Sequence, residues 1–223
     1  MIHTGIYQEI IQSLQQTSTS LVAVSKTKPA EDIQALYELG QRDFGENYVQ
    51  ELVDKQALLP QDIHWHFIGH LQTNKVKYIA PFVHLIHAVD SFKLLQEINK
   101  QAAKNDRVIE VLLQMHIAEE ETKYGMDNHE ILTLLEYYEA QKDQLAHVRI
   151  RGLMGMASLT DNEQQLRSEF QQLKTLFENL KRTHFLFNDA FNTCSMGMSS
   201  DYRIAIAEGS TLVRIGSLLF GAR

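Results

Sequence analysis

Eight short apolar runs, each followed by a longer stretch with helical spacing, set the strongest constraint on this chain of 223 residues. The runs are "LVAVS" from Leu21, "DFG" from Asp43, "HWHFIG" from His64, "HLIHAV" from His84, "VIEVLLQM" from Val108, "VRIRGLM" from Val148, "NTCSMG" from Asn192 and "LVRIGS" from Leu212. Runs without polar alternation read as strands covered on both faces, and covered strands joined by helices are parallel. The helical stretches are "AEDIQALYELG" closing on Gly40, "NYVQELVDKQALL" closing on Pro60, "TNKVKYIA" before Pro81 and "SFKLLQEINKQAAK" capped by Ser91. "NHEILTLLEYYEAQ", the long "DNEQQLRSEFQQLKTLFENLK" and the short "SSDYRIAIAEG" follow, and an amphipathic helix carrying Ile6, Ile10, Ile11 and Leu14 precedes the first strand. About eight βα steps in so short a chain predict a single (β/α)8 TIM barrel over residues 1–223, with a doubly wound open sheet as the alternative. No linker or repeat beyond the βα rhythm marks a second domain.

A net charge of −7 argues against the broad basic face that nucleic-acid binding requires. Cys194 is the only cysteine, so neither an internal disulfide nor a thiolate zinc cage can form. The N-terminus lacks a basic leader with an apolar core, and no window approaches the roughly 18 apolar residues of a membrane span. These features predict a cytoplasmic protein without membrane contact, whose partners are small molecules or proteins. No exposed heptad or interface stripe is visible, so a monomer is expected.

In a barrel the strand C-termini and the loops after them form the active face. Lys26 stands at such an end, on the same side of its strand as Val22 and Val24. A lysine partly desolvated there loses basicity and becomes a nucleophilic amine, as Schiff-base chemistry needs; the plain alternative is a lysine snorkelling to water, as Lys28 does. "CSMGMSSD" places Ser195 and Gly197 after the seventh strand, and Ser199, Ser200 and Asp201 before a helix, an arrangement suited to an anion or to an ordinary capped turn. Gly216 and Ser217 form a second such turn after the eighth strand, and barrels often hold a phosphate between these two loops. Arg214, inside the apolar run "LVRIG", needs either a ligand or a carboxylate such as Glu46 or Glu208.

Other segments are less specific. Glu46 and Asn47 follow the second strand, where either could cap a helix. His64, His66 and His70 tempt a zinc reading, but without an H-E-x-x-H or comparable pattern packed histidines are expected and no metal is predicted. "EEETKYGMD" carries Glu119, Glu120, Glu121, Lys123 and Tyr124 at the fifth strand's exit, a solvated acidic loop with a tyrosine that lines or covers the cavity. Met154 and Met156 offer soft apolar surface to a ring or to the core.

The segments "AVSKTKP", "FGENYVQE", "WHFIGHLQTNK", "KYGM", "RGLMGMA" and "SMGMSSDYRIAIAEGSTLVRIGSLLFGAR" together resemble the pyridoxal phosphate homeostasis protein family, the YggS/PROSC-like proteins, in order and over nearly the whole chain. The resemblance implies a barrel similar to the N-terminal domain of alanine racemase (fold type III), carrying pyridoxal 5'-phosphate as an internal aldimine. By motif, Lys26 is the Schiff-base lysine; Ser195, Gly216 and Ser217 are phosphate positions; Arg214 faces the pyridine nitrogen; Asn47 and Met156 line the cofactor's ring side. Thr193 and Cys194 depart from the family's apolar residues, "DYRIAI" replaces a more acidic helix start, and Ser217 stands for a commoner threonine. Cys194 therefore leaves the packing beside the phosphate turn open.

A cation at the pyridine nitrogen disfavours ring protonation and weakens the cofactor as an electron sink. Racemases compensate with a second acid/base residue from another domain, for which the chain up to Arg223 leaves no room. The expectation is therefore a cofactor carrier that controls the free pool, without substantial turnover, and that passes the cofactor to apoenzymes by transient contact. Two alternatives stand beside it: a racemase or lyase using Tyr124, Lys28 or one of His64, His66 and His70 as second base, and a cofactor-free Schiff-base aldolase acting through Lys26.

Overall fold

The computed structural model describes residues 2–119 and 124–221, so Glu120, Glu121, Lys123 and Arg223 lie outside the described residues. Eight parallel strands close into one barrel in chain order: β1 (Ser20–Val24), β2 (Asp43–Glu46), β3 (His64–Phe67), β4 (Leu85–Val89), β5 (Ile109–His116), β6 (Val148–Met156), β7 (Thr193–Ser195) and β8 (Leu212–Ile215). Closure is direct, with Val22 of β1 opposite Arg214 of β8. The open-sheet alternative is thereby removed.

Helices wrap the outside: α1 (Thr4–Leu14), α2 (Ala30–Glu38), α3 (Val49–Leu58), α4 (Val76–Ile79), α5 (Phe92–Lys104), α6 (Asn128–Ala140), α7 (Glu163–Thr183), α8 (Tyr202–Ala207) and α9 (Ser217–Phe220). Ser91 caps α5 as its position predicts, accepting from the Leu94 N–H. Asp127 and Glu130 form a capping box on α6. The stretch "TNKVKYIA" is not one helix but a 3-10 turn, Thr73–Lys75, running into four residues of α4. No helix among the described residues is long and apolar enough to cross a membrane.

Outward-facing strand residues such as Phe44, Val111, Leu113, Leu153 and Val213 pack against the helices in a continuous core. Inside the barrel a separate and much smaller apolar cluster forms from Val22, Leu85, Ala88, Leu112, Met154 and Leu212. Barrel interiors are ordinarily filled by bulky branched side chains. Here the same space also holds the buried His66, His87, Ser195 and Arg214.

Candidate functional site

A cavity of about 560 Å³ opens among the strand C-termini, within the range that takes a small cofactor. Lys26, Asn47, Met156, Arg214, Gly216 and Ser217 all line it. Lys26 is half-buried just past β1, and the residue after it, Thr27, has φ +62°. A β-branched residue in the left-handed region is strained unless its surroundings hold it. They do: the Thr27 N–H donates to Glu51 Oε1 at 2.6 Å, and Lys55 Nζ binds that same oxygen at 2.6 Å, Glu46 Oε1 at 2.7 Å and the Ser25 carbonyl at 2.8 Å. Ser25 Oγ completes the cluster on Glu46 Oε1 at 2.6 Å. Both neighbours of Lys26 are thus tied to one buried charge cluster behind the sheet.

Arg214 projects from β8 into the interior beneath the cavity. Its Nη1 donates to Ser195 Oγ and its Nη2 to the Gly155 carbonyl at 2.9 Å. No carboxylate pairs with it among the described residues: Glu46 is taken by Lys55 and Glu208 by Arg167 at 2.8 Å. Burial pushes the guanidinium down to about 10, which still leaves it a cation at neutral pH. Asn47 supplies a buried Oδ1 with no partner among the described residues. Neither Glu46 nor Asn47 caps α3, whose N-cap is Tyr48.

Two predicted roles change. Ser195, expected on the phosphate, does not line the cavity: strand alternation turns it into the barrel interior, fully buried, between Arg214 and His87. Gly216 lines the cavity, but its N–H donates to Ser199 Oγ at 3.2 Å, tying the two turns together. A Cβ at Gly216 would sit 3.1 Å from the Val24 carbonyl, and one at Gly197 (φ +95°) only 2.6 Å from the Ala205 Cβ, so both turns need glycine to approach this closely. The donors facing the cavity come instead from Ser199, Ser200, Ser217 and Leu218. Ser217 and Leu218 open α9, so their N–H groups have no intrahelical acceptor. Ser199 and Ser200 were legible as part of a segment suited either to an anion or to a capped turn, and the lining residue Ile68 could have been found two positions past His66 by alternation.

The histidine trio separates. His70 stacks on Tyr124 at 4.6 Å between ring centroids and lies 3.4 Å from Asp90, whereas His64 and His66 sit at the opposite mouth with Asp43. There Asp43, His66 and His84 bring one ligand-type atom each within 4.8 Å of one another, a grouping that spacing along the chain did not reveal. Burial pushes His84 down to about 4.

A family model described as "Alanine racemase, N-terminal domain" matches residues 6–223. A protein of Aquifex aeolicus named pyridoxal phosphate homeostasis protein is 43% identical over 209 residues, covering 93% of this chain and 89% of that protein. The chain belongs to the pyridoxal phosphate homeostasis protein family. The member from Haemophilus influenzae is 43% identical over 211 residues, covering 93% of this chain and 86% of its own length. Among solved structures, PipY of Synechococcus elongatus with pyridoxal phosphate bound superposes with a TM-score of 0.84 at 36% identity, over 97% of this chain and all of that one.

Cys194 faces the helices rather than the cavity. It is fully buried in the outer core with its Sγ 4.0 Å from Met196 Sδ. Burial pushes its thiol up to about 12, so no thiolate is available to react. A disulfide-exchange reagent is expected to leave the native protein unmodified and to titrate one thiol once denaturant is added. Rapid modification of the native state would show that this part of the core opens.

Proposed function

We propose that this chain binds pyridoxal 5'-phosphate covalently through Lys26 at the C-terminal mouth of its barrel and serves the homeostasis of that cofactor without substantial turnover of amino acids. The observation that carries the reading is the donor set of the cavity. One amine stands at a strand end, one fixed guanidinium below it, one unpaired buried acceptor on Asn47, and two small-residue turns offer hydroxyls and N–H groups. This set fits the cofactor's aldehyde, ring and phosphate. The bound cofactor in the PipY structure supports it.

Pyridoxal phosphate on a lysine amine supplies an electron sink for carbanions alpha to an amino group. Arg214 would work against that use, because a permanent cation beside a pyridine nitrogen disfavours its protonation. Ser199, Ser200, Ser217 and the first N–H groups of α9 would hold and orient the phosphate. Val24, Ile68 and Met156 give the cavity an apolar wall.

Catalysis of racemisation or elimination further needs an acid/base group facing the lysine. His64 and His66 lie at the other end of the barrel, and His70 and Tyr124 pair with each other. Among the described lining residues Lys28 is the one remaining candidate, and its Nζ donates to the Gly221 carbonyl at 3.1 Å. On this reading residues 1–223 form one domain, monomeric and cytoplasmic, that passes its cofactor to apoenzymes by transient contact.

The test is to load the purified protein with pyridoxal phosphate, remove the excess by gel filtration, and follow α-hydrogen exchange of amino acids in deuterium oxide. A retained visible absorption band with exchange no faster than that of free cofactor is the expected result. Fast exchange would make the protein a racemase or lyase. A colourless protein that borohydride links to a carbonyl substrate would make it an aldolase.

A further inference from the structure

One continuous chain of polar side chains crosses the barrel from the cavity floor to the opposite mouth. Arg214 Nη1 donates to Ser195 Oγ, which lies 3.3 Å from His87 Nδ1. His87 Nε2 lies 2.9 Å from His66 Nδ1, and His66 Nε2 lies 3.0 Å from Asp43 Oδ1. Ser195 and His87 are 0% exposed, and His66 and Arg214 nearly so. The Asp43 side chain, by contrast, is 36% exposed.

One proton arrangement satisfies this chain with neutral rings. A guanidinium can only donate, so Ser195 accepts from Arg214 and is left able to turn its own proton to His87 Nδ1. A neutral His87 then carries its proton on Nε2 and donates to His66 Nδ1. His66 in turn carries its proton on Nε2 and donates to the Asp43 carboxylate. Every link is satisfied with both imidazoles uncharged, a cation at one end and an anion at the other. In a low-dielectric interior each such bond polarises the next. Burial above all pushes His87 well below the ordinary histidine range, in keeping with a neutral ring at that position. Burial would raise the Asp43 carboxyl, but the hydrogen bonds it accepts, that of His66 first, act against burial, and the carboxyl lies below the usual carboxylate range.

We propose that Asp43, His66, His87 and Ser195 are positioning residues for Arg214, a relay that fixes the guanidinium beneath the cofactor and links the cofactor pocket to the far mouth of the barrel. The proposal rests on the reading of the cavity as a pyridoxal phosphate site. Among the described residues the Arg214 guanidinium has two hydrogen-bond acceptors, Ser195 Oγ and the Gly155 carbonyl, and the carbonyl alone does not determine the plane of the guanidinium. The hydroxyl does so only while its proton is drawn toward His87, a direction set by the carboxylate at the far end.

Two measurements test it. Nitrogen NMR of the cofactor-free protein at pH 7 is expected to find His66 and His87 both neutral and both protonated on Nε2; an Nδ1–H tautomer or a doubly protonated ring at either position would overturn the relay. Then pyridoxal phosphate is titrated into Asp43→Ala and His64→Ala, two changes at the same mouth, of which only the first removes a relay member. Asp43→Ala is expected to weaken cofactor binding about fivefold and to move the visible band, with His64→Ala within about twofold of the parent. Equal effects of the two variants, or none from Asp43→Ala, would overturn the positioning role. A parent protein that takes up no cofactor would fail the cavity reading instead, and the tautomers would still report on the relay.

Discussion

Lys26→Ala protein, mixed with pyridoxal phosphate and gel-filtered, is expected to emerge colourless, while the parent keeps its visible absorption. The proposed covalent bond has one amine placed for it at the end of β1, and the neighbouring Lys28 is turned to the Gly221 carbonyl. Losing the covalent link while the phosphate and ring contacts remain is expected to weaken retention by at least about a hundredfold, roughly 2.7 kcal/mol. Stability should move by no more than about 0.5 kcal/mol, since Lys26 is half-buried at a strand end and fills no part of the core. Absorption after gel filtration and a denaturant midpoint, read on both proteins, separate the two effects. A coloured mutant of parental stability would move the attachment to another lysine, Lys28 first.

Lys55→Met is expected to destabilise the fold by about 3–5 kcal/mol, the usual cost of stranding one member of a buried ion pair. Lys55 Nζ has three donors and meets three acceptors: Glu46 Oε1, Glu51 Oε1 and the Ser25 carbonyl. Methionine keeps the stem and loses all three bonds. Glu46, 0% exposed, would retain only Ser25 Oγ, because its Oε2 has no partner among the described residues. Burial already raises the Glu46 carboxyl, and Lys55 is the main force opposing it. Without Lys55 the folded-state pKa rises further above the unfolded value. A group so raised contributes stability at pH below its unfolded pKa and loses it as pH climbs through the folded one. The mutant's deficit should therefore be largest near neutrality and shrink on acidification towards about pH 4. Urea midpoints at several pH values check this, and a deficit that is small or independent of pH would mean that Glu46 is not ionised in the native protein. Because Glu51 also holds the Thr27 N–H, the mutant should take up cofactor less tightly as well.

Strand positions were legible because they depend on short-range pattern. "LVAVS", "HLIHAV" and "LVRIGS" each overlap the observed strand to within about two residues, the ordinary latitude of element ends. Part of the site was legible for the same reason: alternation from Val22 and Val24 put Lys26 on the inner side, and the turns after the last two strands pointed to Gly216 and Ser217, whereas Asn47 and Met156 came only from the family resemblance; all five line one cavity with Arg214. Ser195 was misread because a serine after a strand and beside glycine looks the same from sequence whether it meets a phosphate or a guanidinium. For Arg214 the sequence left a ligand and a carboxylate as alternatives, and the second falls away: Glu46 and Glu208 lie elsewhere with cations of their own, and a hydroxyl and a carbonyl meet the guanidinium.

Period, strand ends and turn glycines are local: they need only the steric preferences of a few consecutive residues, so the chain's own order carries the barrel, its active face and the lysine on it. The relay from Arg214 to Asp43 is of another kind. Its links join β8 to β7, β7 to β4, β4 to β3 and β3 to β2, and Ser195 and His87 alone are 108 positions apart in the chain. Neither the spacing of these residues nor their types predicts the contact, because it exists only once barrel closure brings strands from both halves of the chain around one narrow interior, and burial there obliges each polar group to find the next.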